Sequence, residues 1–71
     1  MPYRSIEEIP RRVQHTLPPH AQEIYRSAFN HAWEEYSERL DRETLAHQVA
    51  WSAVKRAYEK DPEGRWVRKA S

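Results

Sequence analysis

Seventy-one residues with no cysteine, one glycine and a net charge of +1 describe one small domain, covering 1–71. That composition excludes a disulfide scaffold and a thiolate metal or nucleophile site, and so small a net charge gives no global field for nucleic acid or membrane. No apolar run approaches the ~20 residues that span a bilayer, and no apolar stretch follows the N-terminal charge as in a secretory signal, so the chain reads as cytoplasmic, without membrane insertion.

Ser5 and Glu8 have the spacing of a capping box, in which hydroxyl and carboxylate exchange bonds with each other's amides. Ile6, Ile9, Val13 and Leu17 recur every three or four residues, which predicts one or two short helical turns through Thr16. Leu17-Pro18-Pro19 ends them, since a residue before proline is pushed out of the α region.

Pro19 suits the first position of a long helix running to about Arg39, followed on the same stripe by Leu40. Its stripe also holds Ala21, Ile24, Tyr25, Ala28, Phe29, Ala32, Trp33 and Tyr36. Asp41 is the next N-cap. Ala46, Val49, Ala50, Ala53, Val54, Ala57 and Tyr58 carry a second stripe to about Lys60. Alanines there let two antiparallel helices approach while aromatics of the first fill the space between. Leu45 and Trp51 fall off this stripe and need a second surface, for which the short N-terminal helix is the expected supplier. A Trp51 not buried there would face a partner.

Asp61-Pro62-Glu63-Gly64 is a turn, and Arg65 to Lys69 leans to β structure. Pairing of Pro2-Tyr3-Arg4 with Trp66-Val67 is expected to join the termini. The predicted fold is mainly α: two long antiparallel helices, a short N-terminal helix and a two-stranded sheet.

Four histidines, His15, His20, His31 and His47, lack metal-ligand spacing. Residues 34–43 carry five carboxylates against two arginines, without the alternation and central glycine of a calcium loop. No catalytic motif occurs, so neither an enzyme nor a cofactor is expected. Arg4, Arg11, Arg12, Arg65, Arg68 and Lys69 would share one end with Tyr3 and Trp66 if the termini pair. Cations interleaved with aromatics suit an anionic partner, nucleic acid included.

Several strings resemble the ChaB family along the whole chain: Met1-Pro2-Tyr3, Ile9-Pro10, Leu17-Pro18-Pro19-His20-Ala21-Gln22-Glu23-Ile24-Tyr25 and Ala28-Phe29-Asn30-His31-Ala32-Trp33. Glu43 through Lys55, with His47, Val49, Trp51 and Val54, continues the likeness, as do Tyr58 and Trp66. The resemblance implies three helices with a small sheet, no enzymatic activity, and regulation of a membrane calcium/sodium–proton antiporter; the motif residues themselves read as structural. The connector here, Glu38 to Glu43, is shorter than in enteric members. Alternatives are a nucleic-acid-binding accessory module and self-association, the chain being a monomer or weak dimer.

Overall fold

The computed structural model describes residues 2–69; Met1 of the family-like string lies outside them. A 3-10 turn at Ile6–Glu8 leads into α1 (Arg11–Thr16), α2 (Pro19–Glu35) and α3 (Arg42–Ala57), followed by β1 (Tyr58–Lys60) and β2 (Trp66–Arg68). The architecture is the expected one, mainly helical with one small sheet, but that sheet is not formed by the two termini. β1 and β2 pair with each other, antiparallel, with Tyr58 opposite Arg68 and Lys60 opposite Trp66.

The N-terminal segment has another partner. The Tyr3 amide donates to Asn30 Oδ1 at 2.8 Å, and Asn30 Nδ2 donates back to the Tyr3 carbonyl at 2.7 Å. One helix side chain thus supplies both bonds a neighbouring strand would make. The Tyr3 ring lies 4.7 Å from Phe29 and does not pair with Trp66 or Val67.

The capping box is also rewired. The Ser5 hydroxyl caps nothing; Glu8 receives the Arg4 amide at 2.8 Å, while its own amide donates to the Ser5 carbonyl. Gln22 closes α1, its side chain donating to the carbonyls of Gln14 and Leu17 at 3.1 and 2.8 Å. These carbonyls lie where a helix C-terminus leaves acceptors without intrahelical donors.

α2 stops at Glu35, not near Arg39. Arg42 from α3 donates through Nε to the Trp33 carbonyl at 2.7 Å and lays its guanidinium 3.9 Å from the Trp33 ring centre. That serves a terminal acceptor and shields the indole, which is half-buried. Leu40 therefore falls in the connector, fully exposed, rather than on the stripe. α3 likewise ends at Ala57, because Tyr58 turns extended and buries its ring as a strand residue.

The core gathers Ile9, Val13 and Leu17 from the N-terminal part, Ala21, Tyr25, Phe29 and Ala32 from α2, Ala46, Ala50 and Val54 from α3, and Tyr58. Ala46 and Ala50 have no exposed surface, so α3 presents bare backbone-like ridges to the rings of α2. Among the described residues no helix is long and apolar enough to cross a membrane.

Candidate partner-binding face

A run of touching rings crosses the molecule from the N-terminal segment to the hairpin: Tyr3 on Phe29, Phe29 6.5 Å from Tyr25, Tyr25 edge-on to Trp51 at 5.3 Å, and Trp51 5.9 Å from Trp66. Tyr25 and Phe29 are buried, whereas Trp51 and Trp66 at the far end are half-exposed. The second surface that Trp51 needs is therefore β2, not the N-terminal helix. Leu45 instead lines a furrow with Tyr36 and Val49.

The strand register determines which cations join the two tryptophans. Residues opposite one another in an antiparallel pair share a face, so Tyr58, Lys60, Trp66 and Arg68 lie on one side and Glu59 and Val67 on the other. Lys60 Nζ stands 5.7 Å from the Trp66 ring centre. Lys55 follows Trp51 by one helical turn and borders, with His47 and Trp51, a cavity of about 460 Å3. Lys55, Lys60 and Arg68 are exposed, with no carboxylate partner among the described residues. Trp66 Nε1 is buried and meets no acceptor among those residues.

Arg65 is occupied differently: it pairs with Glu63 and lies 3.7 Å from Asp61, holding the turn closed. Lys69 follows β2, its amide donating to the Ala57 carbonyl at 2.9 Å. Arg4, Arg11 and Arg12 are exposed on the N-terminal segment, which is bound to α2. No strand ladder joins them to Arg65, Arg68 and Lys69. Lys55 and Lys60 escape a sequence reading that assigns both to one continuous helix; the signal was the β-tolerant Tyr58 two residues before Lys60.

The motif residues divide by environment. Leu17, Ala21, Tyr25, Phe29 and Val54 are buried; Pro18, Trp33, His47, Val49 and Trp51 are half-buried. His20 is exposed, its ring 6.2 Å from Tyr58.

His47 is the one histidine tied into the core. Its Nδ1 bonds the Tyr25 hydroxyl, and its ring lies 4.7 Å from Phe29. Burial pushes the Tyr25 phenol up to about 12, so it keeps its proton. Burial also holds His47 below its ordinary 6.5, partly opposed by the Glu43 carboxylate. Both shifts favour the neutral forms of the pair. Among the described residues, no three His, Asp or Glu side chains cluster to hold a metal ion.

The ChaB family model matches residues 9–69. A protein of Escherichia coli (strain K12) named "Putative cation transport regulator ChaB" is 45% identical over 76 residues, covering 99% of this chain and 100% of the relative. A protein of the same name from Shigella flexneri matches to the same extent. A solution structure of a protein of that name superposes with a TM-score of 0.83 at 45% identity, covering 97% of this chain and 100% of the other.

Proposed function

The chain belongs to the ChaB family, and from that premise we propose that it is a non-catalytic cytoplasmic module regulating a membrane cation antiporter of the calcium/sodium–proton type. The relatives' name supports the regulatory role. The observation that carries the reading is the half-exposed Trp51–Trp66 pair flanked by Lys55, Lys60 and Arg68. Tryptophans in partly desolvated positions dominate many interfaces, and cations around them select an acidic partner surface. The site is then an anchor of two indoles with a cationic rim, recognising an acidic cytoplasmic loop.

The test is transport in everted vesicles containing the purified antiporter, with this protein added at micromolar concentration. The expected result is a shift in cation-driven proton exchange with wild type, lost in Trp66→Ala and weakened in Lys60→Ala. No binding and no shift with wild type would overturn the reading.

The same indole pair beside lysines also suits stacking of single-stranded nucleic acid. That second reading expects salt-dependent binding to an oligonucleotide, weakened more by Arg68→Ala than by Arg65→Ala, because Arg65 is already engaged by Asp61 and Glu63. Absence of binding at low salt would remove it.

A further inference from the structure

α2 and α3 leave one seam uncovered. Ile24, Ala28 and His31 from α2 face Val49, Ala53 and Arg56 from α3 across a cavity of about 590 Å3. The last three also border a second hollow of about 370 Å3, which Tyr36 and Leu45 extend toward the connector. No residue of the N-terminal turns or of the hairpin lines either one. The floor is apolar and only half-covered.

Its rims carry opposite charges. Glu23 lies on the α2 wall and Arg56 on the α3 wall, at the same end of the helical pair, since α2 begins where α3 finishes. They make no ion pair with each other, and Arg56 has no carboxylate partner among the described residues.

We propose that this furrow is the interface of a two-fold homodimer whose axis runs along the seam. Such an axis sets α2 against α3 of the second copy, so every helix has antiparallel neighbours on both sides, as in an up-down four-helix bundle. It brings Glu23 level with Arg56 of the second copy, twice by symmetry. An axis across the helices would instead set Glu23 beside the opposite, Tyr36 end of the furrow. A foreign apolar helix would need neither charge. The seventeen residues of α2 span about 25 Å, and two helices side by side about 20 Å, so each copy offers roughly 500 Å2. The pair buries about 1,000 Å2, at the lower edge of specific interfaces, which makes the dimer weak.

Sedimentation equilibrium of the full chain from about 10 µM to about 1 mM tests this range of affinity. The wild type is expected to dimerise within it. Glu23→Arg or Arg56→Glu should each weaken the dimer about tenfold or more, and the double reversal should return it to within about threefold of wild type. Arg26→Ala removes the local partner of Glu23 and should not weaken association. Both reversed side chains are exposed, so the helices should persist in each variant, with circular dichroism as the check. A chain monomeric up to the top concentration overturns the proposal. So does a dimer indifferent to Glu23→Arg, or one that the double reversal does not restore.

Discussion

Asn30 holds the N-terminal segment by acting as a strand neighbour, donating and accepting at Tyr3. Asn30→Asp keeps the shape but removes the donor, leaving the half-buried Tyr3 carbonyl with only Arg26 at 3.3 Å. A buried polar group without its partner costs about 1–3 kcal/mol, so the melting temperature should drop and the Tyr3 amide should exchange faster. Asn30 is hard to recognise in advance because its role is a side-chain bond to a backbone 27 positions away, which leaves no periodic trace. His47 makes a second prediction. Its folded-state pKa is depressed by burial, so the unfolded chain binds more protons as the solution acidifies. Its contribution is therefore fully present above 6.5 and is lost as the pH falls from there toward the folded-state value. Thermal melts from pH 8 to 5 should show wild type losing stability more steeply than His47→Gln. Equal slopes would show that the imidazole does not feel its surroundings.

At the level of elements, the two long helices and their alanine seam were legible because a 3.6-residue period survives along each whole stripe. Their ends were not. Trp33 receives Arg42 across the connector, which stabilises a stop at Glu35 that no local residue announces. Ala57 and Tyr58 continue the apolar spacing of α3, yet Tyr58 opens β1 beside β2, with its ring buried there. The seam itself is sensitive to volume. Ala50→Leu forces a larger side chain between α2 and α3, where Ala50 has no exposed surface; overpacking of this kind costs about 1–3 kcal/mol, read as a lower denaturation midpoint. The hairpin depends on Gly64, which takes φ +84° and has open space, with no atom within 4 Å, where a methyl group would sit. Gly64→Ala should therefore cost about 1 kcal/mol from backbone strain alone, and Gly64→Asn less, because asparagine tolerates that region.

Over the whole molecule, the stabilising core and the proposed binding face meet at one tryptophan pair. Trp51 packs edge-on to buried Tyr25 on one side and on half-exposed Trp66 on the other. The acidic connector and the basic residues, the latter placed together at one end by the sequence reading, keep their separation only in part. Exposed carboxylates Glu34, Glu35, Glu38 and Glu43 surround the connector, and exposed cations surround the hairpin, but Arg4, Arg11 and Arg12 belong to a segment anchored on α2 instead of sharing a ladder with Trp66. The partner of β2 was not readable because two β-leaning segments compete for it, and the short turn at Asp61–Gly64 makes the local pairing with β1 far less costly in loop entropy. That division predicts how binding and stability separate. Trp66→Ala removes a ring at the edge of the core, so α2, α3 and the N-terminal segment keep their mutual packing and the protein should stay folded with a modestly lower melting temperature. Antiporter binding through this face should weaken by about tenfold or more, the range of an interface anchor. Trp51→Ala should damage both, because the same ring supports Tyr25. Leu40→Ser, at a fully exposed position, should change stability by no more than about 0.5 kcal/mol and leave binding at this face intact. Titration calorimetry beside thermal melts on the three variants separates these outcomes: an unchanged affinity in Trp66→Ala with the fold intact would move the binding surface elsewhere.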